Sequence, residues 1–379
     1  MTDARHRGFW HRTGLIGGAG AMVLLAASVE GCSDDNGTTS TASTGTSMST
    51  STGMGGTGGA GGEGSGGGGA GGGGGTGGMG GGSAMISLNA ACTGTEGTFS
   101  TPFDATPDPE GINVYFTALN ANGEATVFKG PAAGGGDCTP LYAGGDPLVA
   151  PFNIVITSDS KTLYIADSGS DDAAETDGGH VFTLQSMGGT PAVFTGTEGR
   201  RPRGIDIYKD ADAELLYFTG TDPATGERGV FSVLAAGGQV SAVAKGAAFR
   251  DPSGIAVSSK KVAYVCDTTG TENEVANILA VDDQGNVTNV VSGLHAGYPC
   301  GIALTVDETF AFVSSIDPST GTDVIARIKL DTKDVDFLSQ GIDTFSESAG
   351  LHRARNANSY AWADSKANGM GTVFTVKLQ

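Results

Sequence analysis

The chain has 379 residues and a formal net charge of −20, from 41 acidic side chains against 21 Lys and Arg. That balance argues against a nucleic-acid surface, which needs clustered cations to meet phosphates. Glycine accounts for 65 residues, concentrated before residue 84, and residues 84–379 are long enough for one large all-β domain with a sizeable core.

At the N-terminus, Arg5, Arg7 and Arg12 precede the apolar run LIGGAGAMVLLAAS, residues 15–28. That is shorter than the roughly 20 residues a membrane-spanning helix needs, but it suits the core of an export signal. The run ends in SVEGC, which places a small residue before Cys32. This resembles the lipobox of bacterial lipoproteins. The resemblance implies that residues 1–31 are a signal peptide, that the Cys32 thiol is diacylated, and that cleavage makes Cys32 the new N-terminus. The membrane is then a partner through the acyl anchor. Ser33 resembles the outer-membrane sorting signal of many Gram-negative bacteria, which implies a lipid-anchored place in the bacterial cell envelope, at the outer membrane. An ordinary secretory signal cleaved nearby is the alternative.

Residues 33–83 are rich in Ser, Thr and Gly and end in GGEGSGGGGAGGGGGTGGMGGGS. Such a composition cannot bury apolar surface, so 32–83 is expected to be a lipidated cysteine followed by a disordered tether. Its mean reach is roughly 40 Å, taking about 5–6 Å times the square root of the residue count.

Beyond the tether the chain repeats a unit that reads P-x-G-I followed by an aromatic strand. The copies are PEGINVYFTA at 109, PFNIVITSDSKTLYIAD at 151, PRGIDIYKDADAELLYFTG at 202, PSGIAVSSKKVAYVCD at 252, PCGIALTVDETFAFVSS at 299 and a degenerate SAGLHRARNANSYAWAD at 348. Each continues into further β-rich runs such as GVFSVLAAGGQVSAVA, with Gly and Asp turns between them. A four-stranded unit of about 40–50 residues is the period of a propeller blade, which must stack against neighbours to bury its faces. Six units predict a six-bladed β-propeller over 84–379, expected to be a monomer. The last unit, GTVFTVKLQ, ends at its third strand, so AMISLNAACTGTEGTF at 84–99 is expected to supply the outer strand and close the ring. The pattern resembles NHL-repeat propellers and the six-bladed folds related to them.

In such a ring the residue before each G-I is expected at the channel mouth. These residues are Glu110, Phe152, Arg203, Ser253, Cys300 and Ala349. The PEG containing Glu110 resembles the first blade of gluconolactonase- and paraoxonase-type propellers, which hold calcium in the channel. The resemblance implies Glu110 and Asn153, which replaces a repeat glycine, as metal ligands, since a hard cation collects six to eight oxygens from several blades. Blades three to six offer Arg203, Ser253, Cys300 and Ala349 where Asn and Asp would be needed, and Glu110 paired with Arg203 is the structural alternative.

Asp167, Asp267 and Asp364 end the second strands of even-numbered blades, where such residues more often cap turns through the backbone. The acidic loop DSGSDDAAETDGG, residues 167–179, reads as a solvated loop. GLHRAR, around His352, is too slight a match for the His and Arg constellation of quinoprotein sugar dehydrogenases, so core or turn roles are expected there. Four cysteines follow Cys32, an even number that favours disulfides in an exported protein. Cys266 ends a strand of blade four and Cys300 begins blade five on the same face, which pairs them. Cys92 and Cys138 then pair between blades six and one. The rival role for Cys300, a nucleophile served by His295, lacks a partner carboxylate.

Together these features predict an exported lipoprotein whose propeller is a non-catalytic binding or scaffold module for a protein, peptide or glycan. The alternative is a divergent calcium-dependent lactonase or related hydrolase. No nucleic acid is expected, and no cofactor other than calcium enters.

Overall fold

The structure is a computed structural model, and it describes residues 86–378 apart from 170–177, 212, 269–274 and 298. The described residues form six four-stranded antiparallel sheets. Five take their strands in chain order from the inside outwards. The sixth runs 348–353, 359–364, 372–378 and then Ile86–Thr93, so the N-terminal strand closes the last blade. Ile86 pairs with Leu378 and Thr93 with Thr372, the whole length of the final strand. This is the six-bladed propeller expected from the repeat. The segments expected to be signal peptide, lipobox and tether lie outside the described residues, as does most of the acidic loop.

Inner strands such as Pro151–Ile156 and Thr162–Asp167 are nearly continuous runs of buried residues, because both sheet faces pack against neighbouring blades. In blade one Phe99, Phe116 and Phe128 meet with ring centroids 4.9–5.3 Å apart. Between blades five and six, Trp362 stacks on Phe374 at 5.2 Å, and the indole N–H donates to the Ser348 hydroxyl at 3.0 Å. That bond leaves the largest buried ring with its one polar atom satisfied.

The first repeat copy is placed differently from the expectation. PEGIN is not the start of an inner strand but the turn after one. The inner strand of blade one is Phe99–Pro107, and Asn113–Asn120 is its second. Asp108 builds this turn, its carboxylate accepting the N–H groups of Ile112 and Asn113 at 2.8 and 3.0 Å. A Pro-Glu-Gly turn and a P-x-G-I strand start share the same letters, and only the local hydrogen bonds separate them.

The described residues contain two disulfides, Cys92–Cys138 and Cys266–Cys300, the pairs read from strand placement. The first joins the closing strand of blade six to blade one, and the second joins blades four and five.

Candidate functional site at the channel

The inner strands are Phe99–Pro107, Pro151–Ile156, Ile205–Lys209, Pro252–Val257, Ile302–Leu304 and Ser348–Arg353. Their registers align Ala105, Ile154, Ile205, Ile255, Ile302 and Leu351, each buried between blades. A strand alternates its faces, so the residues on either side of these six face the axis.

The axial layer before them is Asp104, Asn153, Gly204, Gly254, Gly301 and Gly350. A Cβ on Gly204 would run into the Ser253 carbonyl, on Gly254 into the Cys300 carbonyl, on Gly301 into the Leu351 amide and on Gly350 into the Asp104 carboxylate. Backbones meet here without side-chain space, which is why the repeat carries glycine. Blades one and two instead fill the layer with polar side chains that tie one blade to the next. Asp104 Oδ2 accepts Ile154 N–H at 2.7 Å, and Asn153 Oδ1 accepts Ile205 N–H at 2.8 Å.

The next axial layer is Thr106, Val155, Asp206, Ala256, Ala303 and His352. All six line a cavity of about 60 Å³ that opens where the inner strands finish. Asp206 continues the blade-to-blade ties, since its two oxygens accept Ile207 N–H at 2.8 Å and Val257 N–H at 2.7 Å. His352 Nε2 lies 2.9 Å from Asp104 Oδ2, and the other Asp104 oxygen, fully buried, has no hydrogen-bond partner among the described residues. Burial alone would push the imidazole toward neutrality. The charge and hydrogen bond of Asp104, aided by Asp206, outweigh that and raise its pKa above the ordinary value.

Arg353 and Arg355 complete the wall. Arg353 Nη1 donates to the carbonyls of Ala354 and Arg355 at 2.6 and 2.8 Å. Arg355 Nη2 donates to Ile207 O at 3.1 Å, a strut from blade six to the opposite blade three. Burial pulls the Arg353 guanidinium below its usual pKa. Around this end the turns link blade to blade. Asn356 Nδ2 donates to Glu110 Oε1 at 2.5 Å, Val306 N–H donates to Asn358 at 2.9 Å, Ser158 N–H donates to Glu214 at 2.8 Å, and Ser259 binds Glu308.

The predicted site residues therefore divide between two ends. Glu110 is exposed on the rim turn of blade one and clasps blade six through Asn356. Its expected structural partner, Arg203, is paired instead with Asp251 of the blade-four approach. Phe152, Arg203, Ser253, Cys300 and Ala349 stand where the strands begin, three positions or about 10 Å from the cavity layer, and do not line the cavity. Cys300 is held in its disulfide and is not a free nucleophile. Asp167, Asp267 and Asp364 cap the approach to their own blades through backbone amides. Asp167 takes Val149 N–H at 2.7 Å and Ala150 N–H at 3.0 Å, and Asp267 takes Asp251 N–H at 2.7 Å.

A calcium site of the gluconolactonase kind does not fit this arrangement. Asn153 is buried with its oxygen committed to Ile205, Glu110 faces solvent on the rim, and neither lines the channel cavity. Among the described residues no group of three or more His, Cys, Asp or Glu side chains is placed to hold a metal. Of the cavity residues the sequence singled out only the GLHRAR stretch around His352, with core or turn roles expected, although a signal for the whole layer was present. The second residue after each repeat glycine is this layer, and GID and GLHR carry its charged members.

No protein-family model matches the chain, and no curated protein matches it in sequence. Similar solved structures include a PQQ-bound aldose sugar dehydrogenase from Streptomyces coelicolor, at 14% identity and TM-score 0.57, covering 78% of this chain and 98% of that one. A gluconolactonase from Xanthomonas campestris aligns at 15% identity and TM-score 0.52, covering 75% and 88%. A chain of a nidogen/laminin complex aligns at 14% and 0.51, covering 67% and 84%. At such identities the likeness is one of fold alone, and fold does not set function.

Proposed function

We propose that this chain is a non-catalytic binding module: a propeller that presents the end of its channel where the inner strands finish, carried on a Ser/Thr/Gly tether from an acyl anchor at Cys32 in the cell envelope. The observation that carries the binding reading is the fate of the oxygen donors. Asn153 and Asp206 spend theirs on links between blades, Asp104 commits one oxygen to Ile154 and His352, and Glu110 clasps a neighbouring turn. What stays accessible is a cavity walled by Arg353, Arg355 and His352. The rim is braced by turn-to-turn bonds, so the surface is preorganised, which lowers the entropic cost of capture. The partner class is a protein, peptide or glycan.

Calcium titration followed by thermal unfolding tests this reading against a lactonase. No rise in melting point and no calcium-dependent hydrolysis of simple lactones is the expected result. A tight site would instead add about 2.7 kcal/mol at a hundredfold excess over its dissociation constant. If the melting point rises so and Glu110→Ala cancels the rise, the channel holds a metal and the binding reading falls. The anchor has its own check. Cys32→Ser is expected to abolish incorporation of labelled fatty acid and release the chain from membranes, and an unchanged membrane fraction would remove the lipoprotein from the proposal.

A further inference from the structure

The charge at the channel end runs against that of the molecule. The chain carries −20 overall, yet Arg353, Arg355 and His352 wall one cavity of about 60 Å³. Asp206 shares the cavity and, with Glu308, attracts Arg353 through its charge, but among the described residues neither acid forms an ion pair with Arg353 or Arg355. Asp206 is held by two backbone amides, and Asp104 is paired with His352. Among the described residues Arg353 and Arg355 hydrogen-bond to backbone carbonyls and form no ion pair with a carboxylate. The Nε of each is buried with no hydrogen-bond partner among the described residues. A guanidinium presents five donors in a planar fork, and leaving them part-satisfied and desolvated is costly unless an anion completes them.

We propose that this cavity is a receptor for a carboxylate group, gripped by the guanidinium groups of Arg353 and Arg355 beside His352. A water needs about 10–15 Å³ of such space. The cavity therefore takes a few heavy atoms, the size of a carboxylate and the carbon that bears it. Val155, Ala256 and Ala303 supply an apolar wall for that carbon. Paired N–H···O bonds from an arginine fork match the planar carboxylate and reject a neutral amide of equal shape. The carboxylate can come from a free organic acid or from the C-terminus of a peptide, and the chemistry at the arginines is the same. This assignment rests on the binding reading above and names its ligand class.

The test is titration of the full chain with sodium acetate, acetamide, and the tripeptide Ala-Ala-Ala with a free or an amidated C-terminus, read by calorimetry. Saturable binding of acetate but not acetamide is expected. Arg355→Met should weaken it about tenfold or more, while Lys161→Met on the outer surface leaves it unchanged. Should Arg355→Met fail to fold, Arg355→Lys keeps the charge without the fork and should still weaken acetate severalfold. Tighter binding of the free tripeptide than of acetate assigns the peptide source, and equal or weaker binding assigns the free acid. Equal responses to acetate and acetamide, or an arginine variant that binds like the parent, overturn the proposal. The two readings fail separately. A propeller indifferent to acetate can still bind through another surface, whereas calcium-dependent lactone hydrolysis ends the binding reading whether or not acetate binds.

Discussion

Asp323 in blade five and Asp364 in blade six show what a buried acid does to this fold. Both side chains are fully buried, Asp323 Oδ1 accepts Ser348 N–H at 3.2 Å, and its Oδ2 has no hydrogen-bond partner among the described residues. Burial first, and then the neighbouring Asp364 carboxylate, push the Asp323 pKa up to about 9. The unfolded chain releases this proton near pH 4, and the native state keeps it until about pH 9. Between those values the native state binds the extra proton, so stability must fall as pH rises. Asp323→Asn keeps an acceptor for Ser348, offers a donor to Asp364 and removes the titration. Urea unfolding at pH 5 and pH 8.5 should show the parent losing stability across that interval and the variant losing less, by on the order of 1–3 kcal/mol. Identical slopes would mean that Asp323 is ionised in the native protein and that the raised pKa is wrong.

At the scale of the strand, much of the fold was legible because one constraint repeats. Inner strands meet backbone to backbone at Gly204, Gly254 and Gly301, and Gly350 packs against the Asp104 side chain, so the same letters must return in blades three to six. The two exceptions, Asp104 and Asn153, replace a glycine's close approach with a hydrogen bond to the next blade. Asn153 was noticed because it breaks the repeat, but its oxygen serves the neighbouring blade. Asp104 was hidden because the P-x-G-I pattern matched the PEGIN turn five residues later and shifted blade one by a strand. The cavity was less legible for a different reason. Its wall draws one residue from each of six strands that lie about 50 residues apart, and only their shared register brings Asp206 and His352 to one layer. Sequence spacing reports periodicity within a strand. It does not report which end of a ring stays open.

At the scale of the molecule the vulnerable place is the seam between blades six and one. Besides the Asn356–Glu110 and His352–Asp104 contacts, two stronger devices cross it: the strand Ile86–Thr93, which completes blade six, and the Cys92–Cys138 bond, which ties that strand to blade one. Other neighbouring blades are joined by continuous chain, and here the ring depends on its two ends meeting. Deleting residues 86–93 would expose the final strand, Thr372–Leu378, as an unpaired edge and uncover apolar surface on it. His352 and the two arginines sit on blade six while Asp104 belongs to blade one, so the cavity spans the same seam. The expected outcome is loss of the single cooperative unfolding transition, oligomers in size-exclusion chromatography, and loss of any ligand response at the channel. Cys92→Ser with Cys138→Ser separates the two devices. It leaves the strand paired and should cost only about 2–4 kcal/mol, the usual worth of a cross-link over a loop of 46 residues, with cooperativity retained. If the deletion melts as sharply as the parent, blade six is complete without its borrowed strand, and closure of the ring lies in the packing of Trp362, Phe374 and their neighbours instead.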